Sequence, residues 1–265
     1  MIDSHCHLND ERFDEDLDEV LVRSFQAGVR HAIVIGYDLP SSRRAVDLAN
    51  REVGSDQHPL SAVVGVSTHL AADWSDRAEE EIVEMLDREG VVGLGETGLD
   101  DHYPEPPRSD KERSLIAQLE IAMDKKVPVV FHLRDAAEDF FKILDRVGFA
   151  GPGVLHCFTG DEKAMRMGIE RKLFISYSGI VTFKKSTDLQ AVAAKTPLES
   201  ILVETDSPYL APVPNRGKRC EPANVIDTAK VVADLIGTDY ETLEEQVETN
   251  LLKLFPRIGA YSNSD

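Results

Sequence analysis

The sequence predicts an α/β fold: a closed (β/α)₈ barrel spanning residues 1–265 as one domain, with extra helices at its C-terminal end. Three observations carry that expectation. Eight short apolar runs recur along the chain, continuous where half-exposed strands would alternate, as strands are when both faces of a parallel sheet are covered. Polar stretches with apolar residues at helical spacing lie between them. The length of 265 residues is that of an α/β barrel of roughly 250 residues, and 42% hydrophobic with 29% charged residues is a globular composition.

The runs cover residues 1–8, 32–36, 62–66, 91–96, 128–132, 154–157, 173–176 and 201–204. Leu17, Val20, Leu21 and Phe25 mark a helical face after the first run. Leu115, Ile116, Leu119 and Met123 do so after the fourth, and Phe140, Phe141, Leu144 and Val147 after the fifth. Sequential strands tend to be neighbours and crossovers right-handed, which favours a closed barrel, with an open doubly wound sheet as the alternative. No Pro/Gly/Ser-rich linker divides the chain. Residues 208–222 form the longest irregular stretch, rich in proline and basic residues, and loops of this length tend to be functional. Helices are expected beyond it at 224–236 and 240–252, packed against the outside of the barrel.

With 48 acidic against 29 basic residues the net charge is −19, which argues against gripping a polyanion through a broad basic surface. A nuclease is still compatible, because bound divalent ions supply a local positive field. Neither a signal sequence nor a membrane-length apolar run is evident. Cys6, Cys157 and Cys220 are an odd set without Cys-x-x-Cys spacing. A cytoplasmic protein with reduced thiols is expected.

In such a barrel the catalytic residues converge from the C-terminal ends of several strands. Here the first strand carries His5 and His7, the fourth ends in Glu96, the fifth in His132, the sixth in His156, and the eighth leads into Asp206. Residues two apart on a strand share a face and are separated by only ~6.5 Å, so His5 and His7 can reach one ion at ~2.0–2.1 Å. A lone histidine after a strand is usually a hydrogen-bonded core residue; His or carboxylate at the same depth on five strands points to a metal site. Mixed imidazole and carboxylate donors suit Zn²⁺, Mn²⁺ or Ni²⁺ better than Ca²⁺. His31, His58 and His102 sit before a strand or in polar loops and read as solvated or structural, whereas His69 follows the third strand and could face the mouth.

Several segments carry a family resemblance: His5-Cys6-His7, Gly95-Glu96-Thr97-Gly98-Leu99-Asp100, Val130-Phe131-His132-Leu133-Arg134, His156-Cys157-Phe158-Thr159-Gly160 and Glu204-Thr205-Asp206-Ser207-Pro208-Tyr209-Leu210. In this order they resemble the TatD family of metal-dependent hydrolases, distorted TIM barrels of the amidohydrolase superfamily. The match takes in nearly the whole chain, including Gly179-Ile180-Val181-Thr182-Phe183 and 216–222. The resemblance implies two divalent ions per chain (Mg²⁺, Mn²⁺, Zn²⁺ or Ni²⁺), one held by His5, His7 and Asp206, the other by His132 and His156, with Glu96 bridging both. It also implies a deoxyribonuclease, of the 3′–5′ exonuclease type in several members. Two departures from the family pattern stand out: Ser67 replaces a histidine commonly found after the third strand, and Cys220 replaces an asparagine expected near the mouth.

A two-ion centre clamps the attacking and leaving oxygens of an in-line phosphoryl displacement. Asp206 is assigned as ligand and general base, and Glu96 as its bridging catalytic partner. Glu204, on the same strand face as Asp206, and Asp3, beneath His5, are expected to orient ligand imidazoles from behind. A substrate phosphate needs further cations, for which Arg134, His69, Arg216, Lys218 and Arg219 are candidates, with Lys184 and Lys185 as a weaker set. The expected substrate is a DNA 3′ end or single strand, with no membrane and no obligate protein partner. Two alternatives accompany that reading: hydrolysis of a small amide, lactone or ester, and metal binding without catalysis.

Overall fold

A computed structural model describes residues 1–52, 54, 57 and 59–261; His58 lies outside the described residues. Eight strands form the sheet: β1 (Ile2–Cys6), β2 (His31–Ile35), β3 (Leu60–Val64), β4 (Val91–Asp100), β5 (Val129–Arg134), β6 (Gly153–Leu155), β7 (Phe174–Tyr177) and β8 (Ile201–Val203). Each pairs in parallel with the next, in the order β1 to β8. That order has no reversal point, so the open doubly wound alternative is set aside.

The ring is nearly closed, and its seam is irregular. Beyond the last residue of β8, the Asp206 N–H donates to the His5 carbonyl (2.9 Å) and the His7 N–H to that of Ser207 (2.7 Å), at an isolated parallel bridge between Cys6 and Ser207. The Ser4 hydroxyl donates to the Val203 carbonyl at 2.9 Å.

Seven helices follow the first seven strands: α1 (Leu17–Gln26), α2 (Leu39–Ala49), α3 (Asp76–Leu86), α4 (Arg108–Lys125), α5 (Ala137–Val147), α6 (Glu162–Glu170) and α7 (Thr187–Ala193). Short polar side chains set the starts of three of them. Asp38 and Ser41 make a reciprocal capping box at α2, Ser75 caps α3, and Asp161 accepts from the Ala164 N–H at 2.8 Å to start α6. The expected C-terminal pair is present as α8 (Val225–Ile236) and α9 (Tyr240–Leu254), and a short α10 (Pro256–Tyr261) follows them. The stretch 208–221 contains no helix or strand. No described helix is long and apolar enough to cross a membrane.

Alternation along β5 shows how the core positions the site. Phe131 is fully buried and meets Phe140 of α5 edge-on at 5.1 Å and Phe149 at 5.6 Å, an outward packing contact worth a few tenths to ~1.5 kcal/mol per ring pair beyond the area removed from water. Successive side chains point to opposite faces, so His132 points inward. The fourth strand runs four residues past its expected end, to Asp100, and Gly98 makes that possible. It sits opposite His132 in the β4–β5 register with φ +153°, and a Cβ there would stand 1.8 Å from the His132 carbonyl oxygen. Only glycine fits this close approach of two backbones.

Candidate metal centre

The strand ends bring His5, His7, Glu96, His132, His156 and Asp206 together at one mouth of the barrel. On one side, Nε2 of His5 and Nε2 of His7 are 3.2 Å apart. Asp206 Oδ1 lies 3.6 Å from the first and 3.3 Å from the second. On the other side, Glu96 Oε1 lies 3.2 Å from His132 Nδ1 and 3.4 Å from His156 Nε2. The second carboxylate oxygen of Glu96 faces back, 3.7 Å from His5 Nε2. Glu96 therefore stands between two donor groups with one oxygen turned to each. The His5 and His156 rings stack at 3.9 Å between centroids.

Burial and mutual repulsion set the electrostatics. Burial, then the neighbouring His156 and His7, holds His5 well below its ordinary pKa, so it is the neutral imidazole that a metal requires. Burial works to raise Glu96, but His156 and His132 outweigh it and keep the carboxylate well below its usual range. Burial likewise opposes charge on His156, and Glu96 and Glu204 overcome it.

These residues fit divalent cations. His5 Nδ1, His156 Nδ1 and His156 Nε2 are buried nitrogens without a hydrogen-bond partner among the described residues, a costly state for polar atoms. Nitrogen and oxygen donors converge as two sets, His5 with His7 and Asp206, and His5 with Glu96 and His156. The donor chemistry is that of a borderline divalent ion.

A third cluster joins His69, Asp100 and His132, and Asp100 is the residue sequence reasoning missed. Its Oδ2 lies 2.9 Å from His132 Nε2, and its Oδ1 accepts from the N–H groups of His102 (2.8 Å) and Tyr103 (3.1 Å). Lys111, also buried, donates to the carbonyls of Asp100 and Tyr103, both at 2.6 Å, and fixes this turn. Burial raises the Asp100 carboxyl, but the hydrogen bonds from His132 and Tyr103 dominate and bring it down to about 2.

The two residues expected to orient imidazoles from behind behave differently. Glu204 is buried, lies 3.4 Å from His156 Nδ1, and accepts from the Cys157 N–H at 2.7 Å. Asp3 does not reach a ring. Its carboxylate accepts from the backbone N–H groups of His5 (3.3 Å) and Thr205 (2.9 Å) and from the Thr205 hydroxyl (2.6 Å), because a side chain this short at the strand base meets backbone before imidazole.

Of the cationic candidates, Arg134 and His69 line the 750 Å³ cavity at the mouth, beside Ser67, Tyr37 and Tyr209. The basic loop does not. Arg219 is held by Asp16 (2.6 and 2.8 Å) and Glu221 (2.9 Å) and stacks over Phe13; the expectation that it meets substrate gives way to a role tying the loop to α1. Arg216 stacks on Phe183 at 4.3 Å, and Lys218, Lys184 and Lys185 are solvent-exposed; none lines the mouth. Cys220 is likewise fully buried and away from the mouth, its thiol 3.9 Å from the Thr205 carbonyl. Tyr37 and Tyr209, set edge-on to the His7 ring, went unassigned in the sequence because an aromatic after a strand reads equally well as core.

The family model described as TatD related DNase matches residues 2–256. The chain is 37% identical over 260 residues to the uncharacterized metal-dependent hydrolase YcfH of Escherichia coli strain K12, covering 96% of this chain and 95% of that protein. It is 33% identical over 261 residues to the 3′-5′ ssDNA/RNA exonuclease TatD of Salmonella typhimurium strain LT2, covering 96% and 98%. Among solved structures, YJJV, a TatD homologue from Escherichia coli K12, superposes with a TM-score of 0.89 at 27% identity over 97% of this chain and 98% of that one. This chain belongs to the TatD-related DNase family and is a metal-dependent hydrolase.

Proposed function

We propose that this protein is a 3′–5′ exonuclease acting on single-stranded DNA through a two-ion centre. The observation that carries the reading is the position of Glu96, with one carboxylate oxygen toward His5 and the other toward His132 and His156. Two divalent ions, when bound, supply electrophilic activation of the phosphoryl group and lower the pKa of a water. Glu96 joins the two donor sets, with His5, His7 and Asp206 on one side and His132 and His156 on the other. Asp206 approaches His5 and His7 through Oδ1, and its Oδ2 is the atom that would accept the proton of the attacking water. The water oxygen adds to phosphorus, the bond to the upstream 3′ oxygen breaks, and the proton passes to that leaving oxygen. Arg134 neutralises substrate charge that the acidic surface would otherwise repel. Tyr37 and the face of Tyr209 not covered by the Arg12 guanidinium, which lies 4.3 Å from its centroid, offer stacking surfaces for unpaired bases, a contact open to single strands and closed to a stacked duplex.

The name of the Salmonella relative supports the choice of nucleic acid over a small ester. End-labelled single-stranded DNA, incubated with metal-loaded protein, should shorten stepwise from its 3′ end. Asp206→Ala should slow the reaction by about 10²- to 10⁴-fold. Equal rates for wild type and variant would show that Asp206 is not the base. Absence of cleavage with every divalent ion, alongside turnover of a small ester, would assign the protein to the small-molecule class.

A further inference from the structure

A second cavity, of 280 Å³, lies beside the mouth, between the end of β5 and the loop that joins β6 to α6. The two spaces share Leu133, Arg134 and Thr159, so they adjoin across Arg134. The floor of the second is apolar, made by the buried Leu133 and Phe158, with Ala137 of α5 as one wall. Gly160 leaves the floor open, since a Cβ there would stand 2.8 Å from the Phe158 ring. Asp135 and Asp161 make the rim acidic.

Arg134 at the shared edge makes no ion pair among the described residues, whereas Arg12, Arg108 and Arg219 are each paired with carboxylates. Its guanidinium instead lies 5.6 Å from the Tyr103 ring centroid. In a chain of net charge −19, an uncommitted guanidinium between two cavities is a place for an anion.

We propose that this cavity seats the 3′-terminal nucleoside of the substrate, while Arg134 holds the phosphate joining that nucleoside to the rest of the strand. The inference rests on the nuclease reading above and adds where the strand ends. The volume of 280 Å³ falls just below the range of drug-sized ligand pockets, which run from ~300 Å³ upward, and limits the occupant to a single nucleoside. The apolar floor accepts a base. The acidic rim repels any further phosphate, so the strand terminates there with a free 3′-hydroxyl, and the upstream strand leaves through the larger mouth. Hydrolysis then adds water across one bond, yielding a 5′-mononucleotide and a strand shorter by one with a new 3′-hydroxyl.

Calorimetry on the metal-loaded protein tests this with deoxyadenosine 5′-monophosphate and inorganic phosphate as probes. The nucleotide should bind at least about tenfold more tightly than phosphate. Ala137→Trp, which fills the cavity without touching a metal donor, should reduce that margin to within about threefold while leaving phosphate affinity unchanged. Ala137→Leu, at a position that lines this cavity and not the mouth, provides the same readout should the tryptophan variant fail to fold. No margin in the wild type, or an unchanged margin in the folded variants, overturns the subsite. Cleavage of single-stranded DNA by a wild type without a margin would overturn the subsite and leave the nuclease reading intact. A margin without any cleavage would do the reverse.

Discussion

His132 Nε2 lies 2.9 Å from Asp100 Oδ2 while the opposite nitrogen of the same ring, Nδ1, lies 3.2 Å from Glu96 Oε1. The ring is held between two carboxylates. An Nε2–H donating to Asp100 leaves the Nδ1 lone pair for an ion at the centre, which is the tautomer a ligand needs. Asp100→Asn should therefore lower metal affinity at the His132 side by about 10- to 100-fold, read by metal titration, with little change in thermal melting of the metal-free protein. An Asp100→Asn variant that titrates like wild type would remove Asp100 from the site.

The two donor sets should fill separately. Elemental analysis of the loaded protein should return close to two ions per chain, and His7→Ala and His132→Ala should each return close to one. Uptake should weaken as pH falls, because protons compete for the imidazole nitrogens. One ion in the wild type, or loss of both in either variant, would show a single coupled centre.

Gly98→Ala tests the close approach of β4 and β5. The added methyl would meet the His132 carbonyl at a backbone φ of +153°, so the strands must part. A loss of at least about 2 kcal/mol in denaturant unfolding is expected, together with loss of an ion on the His132 side. Stability within about 0.5 kcal/mol of wild type would mean the strands yield easily here.

The Asp16–Arg219 pair gives a pH signature far from the chemistry. The hydrogen bond from Arg219 outweighs burial and brings the Asp16 carboxyl down to about 2 from its ordinary 3.8. A depressed carboxyl stabilises the fold above its unfolded pKa and loses that contribution as pH falls through the folded value. The stability difference between wild type and Asp16→Asn, about 1 kcal/mol or less for a partly exposed pair, should hold from neutrality to about pH 4 and fade toward pH 2. Hydrolase activity at neutral pH should be retained in Asp16→Asn and in Arg219→Ala alike, and a folded Arg219→Ala variant that loses it would return Arg219 to the substrate path.

The strand ends were legible because a continuous apolar run stopping at His or carboxylate is a local pattern, and five such stops share one depth in a barrel. Asp100 was not, because Gly95 and Gly98 break the apolar run, and nothing local shows that they are points of backbone contact rather than a turn. The misreading of Arg219 has a similar root. Its partner Asp16 is 203 residues away, and a basic cluster in an irregular loop looks uncommitted until the acid that neutralises it is brought alongside. Asp3 fails on geometry: sequence puts it beneath His5, but the fold brings Thr205 alongside and commits its carboxylate to two backbone N–H groups and a hydroxyl.

That placement of Asp3 has a consequence for assembly. It staples β1 to the segment after β8, joining the residue behind His5 to the one before Asp206, 202 positions apart. One donor group of the candidate centre thus takes His5 and His7 from the first few residues and Asp206 from the far side of the seam, so it does not exist in a chain whose ring is still open. Metal uptake by the His5, His7 and Asp206 group should be an all-or-none reporter of ring closure, and an ion bound there would act as a clasp between the two ends of the sheet.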